Sequence, residues 1–249
     1  MSNCIISSCF TTVPCPQRGL KVKVGPELID DWASSLADCG LRGVIVYDEL
    51  PEEIMDRYDH IAFAQVLPPC NGYSTNDWRF FCYRYVLSRV LSRVANIEAA
   101  FFTDLFDMVV QHDPFPWLAE QGGLAVGRED RMDAGPWMTA KLNQAFGDGW
   151  RGAIPADAHR CTGCLVGGIR SSIMPFLDTM CGIMASVHST RPKLNCNMPA
   201  LQMAIHAGMQ GHPVHFGHPL HHPKWRTGGR DKEAFFHHVW RGNKSPIFA

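Results

Sequence analysis

The chain has 249 residues, 46% hydrophobic and 19% charged, enough apolar material for one sizeable core and too much for a disordered segment. Its formal net charge of −1 gives it no general attraction for nucleic acid. No apolar run approaches the roughly 20 residues that cross a bilayer, and the opening MSNCIISSCF lacks the basic start of a signal peptide, so the expected compartment is the cytoplasm. Ten cysteines are then expected as reduced thiols without a structural disulfide.

In chain order, short apolar runs alternate with amphipathic stretches, the pattern of a mostly parallel sheet covered by helices on both faces, an α/β fold in a single domain. Residues 4–10 read as a strand, 27–38 as a helix, 43–47 and 60–67 as further strands. Residues 77–94 form the clearest helix, capped by Asn76 or Asp77. Its stripe of Phe80, Tyr83, Val86, Leu87, Val90, Leu91 and Val94 faces the core rather than a cofactor. A short helix starts at Pro114 behind Asp113, and a strand covers 123–127. Residues 135–152, rich in Gly and Trp, read as irregular. A strand at 164–169, a helix at 171–187 entered through Ser171 and a helix at 197–209 capped by Asn197 follow. From Gly211 the chain is dense in His, Pro, Trp and basic residues, with one short apolar run at 234–240 and no repeat or linker that would mark a second domain.

Residues 99–115, AAFFTDLFDMVVQHDPF, carry the chemistry: a buried strand ends abruptly in Asp104 and Asp107. Carboxylates at the carboxyl end of a parallel strand can share a divalent cation, which in turn neutralises a diphosphate. The same two acids also suit a turn ahead of Pro114.

The segments GVIVYDEL, YSTNDWRFFCYRYVL, TDLFDMVVQHDPF, CTGCLVGGIR and NMPALQMAIHAG, followed by a His-rich end, stand in an order that resembles the GT-A glycosyltransferases, in particular glycogenin-like and related small bacterial and viral enzymes. The resemblance covers most of the chain, with the acidic motif and its DPF as its most specific part. It implies a Rossmann-like GT-A fold, an NDP-sugar donor (a UDP-sugar first), and Mn²⁺ or Mg²⁺. It places the nucleoside on residues 7–12, including Thr11, with Asp48 at the base or ribose, and Asn76, Asp77 and Arg79 near ribose or phosphate oxygens. Asp48 ahead of Pro51 also reads as a helix cap, and Arg79 as a surface partner of Asp77.

The family spaces its metal carboxylates one residue apart, whereas here Asp104-Leu-Phe-Asp107 leaves two readings: both acids on the metal, or Asp104 on the ribose with Asp107 carrying the ion. The resemblance adds a C-terminal histidine as third ligand. His215, His237 and His238 compete, with His238 favoured and Lys244 or Arg241 answering the diphosphate. In CTGCLVGG the small residues would let a sugar approach the backbone, although the family commonly has Asn near Cys161.

Twelve histidines also invite a zinc reading. Cys161 and Cys164 form a CxxC, but no second pair follows at ribbon spacing. His212, His215, His218, His221 and His222 suit a solvated loop as well as a metal site.

Sugar transfer loads negative charge on the departing diphosphate, which a cation on Asp104 and Asp107 would stabilise, and Asp107 is the expected catalytic centre. An inverting enzyme also needs a base, for which Glu129 and Asp130 are candidates beside their reading as a charged turn. The acceptor is a glycan, a protein, a small molecule or a modified DNA base. The last is suggested by basic residues between Trp225 and Trp240. The rivals are a non-catalytic nucleotide-sugar or nucleic-acid binding module and a metal hydrolase built on the His-rich end.

Overall fold

The computed structural model describes residues 2–17, 19–90, 97–131, 136–222 and 231–239. In order they form β1 (Ser2–Cys9), α1 (Asp30–Asp38), β2 (Gly43–Tyr47), α2 (Glu52–Met55), β3 (Ile61–Gln65), α3 (Thr75–Tyr85), β4 (Ile97–Thr103) and β5 (Met108–Val110). Then follow α4 (Phe115–Gln121), β6 (Leu124–Arg131), α5 (Pro136–Phe146), β7 (His159–Ile169), α6 (Arg170–Thr190), α7 (Asn197–Met203), β8 (Val214–Phe216), β9 (His221–His222) and β10 (Phe236–His238).

A seven-stranded sheet runs β3-β2-β1-β4-β7-β6-β8. The strands from β3 to β4 are mutually parallel; β7 runs against both β4 and β6, and β8 pairs parallel with β6. Strand side chains alternate between two faces. Cys4, Ile6, Val44, Val46, Ala100 and Phe102 point into a core closed by α3, α6 and α7. Ile5, Cys9, Ile45, Tyr47, Ala99 and Phe101 point into the opposite core, closed by α1 and α4. Burial on both faces explains why these strands read as continuous apolar runs. The expected mostly parallel α/β sheet flanked by helices is the observed architecture. Among the described residues no helix is long and apolar enough to cross a membrane.

Several local expectations change. Ser74, rather than Asn76 or Asp77, caps α3 by accepting a hydrogen bond from Asp77 N at 3.1 Å. Phe80, Tyr83, Val86 and Leu87 are buried as the stripe required, but the helix loosens into a π turn at Val86–Val90, and positions 91 and 94 lie outside the described residues. The stretch at 135–152 holds a helix after all: Met138, Leu142 and Ala145 recur at helical spacing and are buried, and only the glycine-rich Gly147–Gly152 tightens into a 3₁₀ turn. Strand β6 extends to Arg131, so Glu129 and Asp130 lie within it rather than in a turn beyond it. Neither Ser171 nor Asn197 caps its helix: α6 starts behind Ile169 and α7 behind Cys196, with no side-chain cap at either.

A second, smaller sheet, β5-β10-β9, forms just after the acidic motif, with β10 antiparallel to β5 and parallel to β9. It brings the C-terminal histidines back to the end of β4. Pairing of His238 with Met108 sets that histidine beside Asp107.

Candidate functional site

Strands β1, β2 and β4 release their chains at the same edge of the sheet, the edge where open α/β sheets bind ligands. After β2, Asp48 accepts hydrogen bonds from the backbone N–H groups of Thr11 at 2.8 Å, Thr12 at 3.2 Å and Glu49 at 2.8 Å. The Thr11 hydroxyl donates to Glu49 O at 2.8 Å. Asp48 therefore fastens the loop leaving β1. It does not cap α2, which begins at Pro51 with no side-chain cap. Thr11 and Asp48 are brought together, nearly buried, and bonded to each other rather than free.

At the end of β4, Asp104 N donates to Cys164 O of β7 at 3.1 Å. Its Oδ1 receives Arg79 Nη1, and Arg79 Nη2 donates to Gly163 O at 2.9 Å. The guanidinium thus ties α3 to both strands. Burial works against its charge, and the Asp104 carboxylate more than compensates, so its proton is held more tightly than usual. Arg79 does not pair with Asp77. The Asp77 carboxylate is fully buried, where it accepts from Cys196 N at 3.0 Å and Asn197 N at 2.6 Å and faces His188 Nε2 at 3.1 Å. Those partners fasten α3 to α7 and leave Asp77 no surface toward a ligand. Asn76 is half-buried in the first turn of α3.

The glycines of CTGCLVGG serve packing. A Cβ on Gly163 would stand 3.2 Å from Arg79 Nη2 and Met198 Sδ, and one on Gly167 only 2.1 Å from the Phe101 ring. The approach at Gly167 requires glycine, and the one at Gly163 leaves little room for a side chain. A cleft of about 360 Å³ adjoins Gly163 through Asn197 and Met198; Gln17, Trp137, Lys141 and Pro199 line it too.

Asp107 stands in the turn between β4 and β5, its side chain 28% exposed, and Val239 N donates to its carbonyl at 2.7 Å. Its Oδ2 lies 3.2 Å from His238 Nε2, a contact poorly aligned for a hydrogen bond. The other ring nitrogen, Nδ1, lies 3.6 Å from Cys164 Sγ, and the same sulfur is 3.8 Å from His221 Nε2. Burial alone would lower the affinity of His238 for protons. The Cys164 sulfur and the Asp107 carboxylate outweigh it and push the ring up to about 11. A metal on either ring nitrogen would need that nitrogen unprotonated.

Among the three competing histidines, His238 is the one at Asp107. His237 precedes it on the same strand and so faces the other way. His215 sits on edge strand β8 opposite Ala125, its ring against Trp117 at 5.5 Å. Glu129 is held by Arg160, 3.0 Å from both Nε and Nη2. The backbone of Asp130 lies in β6, while its side chain, Lys244 and Arg241 lie outside the described residues, as do Trp225 and Trp240.

Sequence reading named Cys164 and His221 separately, in a CxxC and in a His-rich segment, and missed that the two meet. The visible signal was CxxC, but its two sulfurs, three residues apart on one strand, face opposite sides of the sheet. Cys161 lies 3.7 Å from His206 in one core, Cys164 against His221 and His238 in the other. All ten cysteines are free thiols.

The fold is that of the GT-A glycosyltransferases. Comparison with solved structures returns an active-site mutant of LgtC, at TM-score 0.60 and 11% identity, over 98% of this chain and 89% of that one. It also returns the galactosyltransferase LgtC in complex with donor and acceptor sugar analogues, at TM-score 0.59 and 9% identity, over 98% of this chain and 88% of that one. No family model matches the sequence, and no curated protein matches it either.

Proposed function

We propose that the protein is a metal-dependent glycosyltransferase that moves a sugar from a nucleoside-diphosphate donor, a UDP-sugar first, to a hydroxyl acceptor. The observation that carries this reading is the pair Asp104 and Asp107 at the carboxyl end of β4, in a GT-A fold, with His238 returned to Asp107 by the small sheet.

The donor set suits Mn²⁺ or Mg²⁺. Asp104 keeps Oδ2 beside its Arg79-bound Oδ1, Asp107 is partly exposed, and His238 Nε2 is a buried nitrogen without a hydrogen bond. Asp104, Asp107 and His238 would hold the ion, which supplies charge neutralisation for the departing diphosphate. The protein's own residues do the rest. Arg79 fixes the rotamer of Asp104, and Asp48 holds the Thr11 loop as the nucleoside wall. Asn76 faces the ribose from the first turn of α3, and Lys244 or Arg241 answers the phosphate charge. The partly exposed Trp137 and the cleft beside Gly163 give a sugar acceptor an aromatic face on which to rest.

Should the reaction invert, Glu129 or Asp130 takes the acceptor proton. For Glu129 the Arg160 pair fixes the direction from which an acceptor must come. A complex with donor and acceptor sugar analogues is described for LgtC, which favours a carbohydrate acceptor here. A modified DNA base draws no support from that likeness.

The test is a screen of UDP- and GDP-sugars, with and without Mn²⁺, for thermal stabilisation and slow donor hydrolysis. One donor is expected to raise Tm only with metal, and Asp107→Asn to abolish both responses. Metal-dependent binding without hydrolysis or transfer to any sugar acceptor would favour the non-catalytic module instead. No response to any donor would end the proposal.

A further inference from the structure

His238 has two nitrogens and two neighbourhoods. Nε2 looks toward Asp107 and the partly open end of β4, whereas Nδ1 looks into a buried pocket where Cys164 Sγ stands 3.6 Å away and His221 Nε2 3.8 Å beyond that sulfur. The three donor atoms lie within 4.8 Å of one another, and all three residues are buried. Two ligands of a tetrahedral zinc, with Zn–S about 2.3 Å and Zn–N about 2.0 Å, stand about 3.6 Å apart. The two observed sulfur–nitrogen spacings, 3.6 and 3.8 Å, lie close to that value.

The surroundings are built for it. The Thr162 hydroxyl donates to Cys164 Sγ at 3.1 Å, the kind of outer hydrogen bond that steadies a thiolate ligand. A Cβ on Gly127 would meet Thr162 Cγ2 at 2.5 Å, so glycine keeps the space of the threonine whose hydroxyl donates to Cys164 Sγ. Asp107 Oδ2 lies 3.2 Å behind His238 Nε2, in the position of the carboxylate that commonly orients a metal-bound imidazole.

We propose that Cys164, His221 and His238 form a second cation site, for a soft divalent ion of the zinc type, distinct from the hard-ion carboxylates Asp104 and Asp107. One thiolate and two imidazoles select zinc over manganese or magnesium, which prefer oxygen. Ligation takes Cys164 as the thiolate and His238 through an unprotonated Nδ1.

This site has a consequence that rests on the glycosyltransferase reading. An imidazole that gives Nδ1 to one ion keeps its remaining proton on Nε2, and a protonated nitrogen does not ligate. Zinc in the buried site and a catalytic ion on Nε2 therefore compete for one ring, and zinc inhibits manganese-dependent transfer.

The experiment uses the full chain, freed of metal by chelation and titrated with Co²⁺ alone, then with Zn²⁺. One Co²⁺ per chain is expected to produce a thiolate-to-cobalt charge-transfer absorption that Zn²⁺ bleaches. Cys164→Ser and His221→Ala should each abolish it, and Asp104→Asn should retain it. The Cys164→Ser and His221→Ala variants should keep manganese-dependent turnover while zinc inhibition shifts at least about tenfold to higher concentration. Absence of the band in the folded wild type, or its survival in both Cys164→Ser and His221→Ala, overturns the site. If one variant fails to fold, the other decides. The band needs no turnover: a band without transfer leaves the zinc site standing when the enzyme reading fails, and transfer without a band does the reverse.

Discussion

Arg79 shows how much of a site can rest on one side chain. Its guanidinium is 11% exposed and joins a carboxylate of the acidic motif to a backbone carbonyl of β7, with Gly163 leaving room for it. Lysine keeps the charge but has no planar fork to span both acceptors. Arg79→Lys is therefore expected to lower donor-dependent turnover about 10- to 100-fold, the usual effect of losing the partner that orients a metal ligand. Steady-state kinetics at saturating Mn²⁺ against limiting Mn²⁺ would show the loss as weaker metal affinity. The residue was legible in the sequence as a binding candidate at the start of a helix. Its partner was not, because Asp77 is its neighbour in sequence while Asp104 is its neighbour only in space.

Among the elements, the joint between α3 and α7 is the most exacting. Asp77 N is bonded to the Ser74 cap, and the Asp77 carboxylate receives two backbone N–H groups from the turn that starts α7. Burial pushes this carboxyl upward, opposed by hydrogen bonds from His188, Ser74 and Asn197. Asp77→Ala would strand those buried donors, at a cost of about 3 kcal/mol or more. Thermal or denaturant unfolding should show that loss, while the donor Kd of the molecules still folded stays unchanged. A donor Kd that weakened with stability intact would return Asp77 to the binding site that its sequence position suggested. The two helix starts differ in cause: Ser74 caps α3 locally, three residues ahead of Asp77 N, whereas the N–H groups that open α7 are met by Asp77 from across the fold.

Across the whole molecule, two cores share one sheet, and a half-buried histidine couples one of them to pH. His206 Nε2 lies 2.9 Å from His159 O, with its ring stacked on Phe216. Burial lowers its pKa from the ordinary 6.5, against the opposing effect of that backbone carbonyl. A depressed folded pKa means that the unfolded chain binds the proton more readily. The contribution is therefore fully present above about pH 6.5 and is lost as pH falls through the lower folded value. Tm measured from pH 8 to pH 5 should fall on the acid side, and His206→Gln should flatten that slope. An unchanged slope would place the acid sensitivity elsewhere.

The alternation of apolar runs with amphipathic stretches determined the α/β sheet by itself, because strands buried on both faces must be apolar throughout and helices covering them must carry a stripe. The acidic motif and the resemblance around it likewise named Asp104, Asp107 and His238 as candidates. Only the tertiary structure decided which histidine meets Asp107, since that depends on β10 pairing with β5 across more than a hundred residues of chain. It alone also separated the two cysteines of CxxC onto opposite faces and gathered Cys164 with His221 and His238. Sequence spacing fixes what neighbours along one element can share, and contacts between elements are set by how sheets and helices close around their common core.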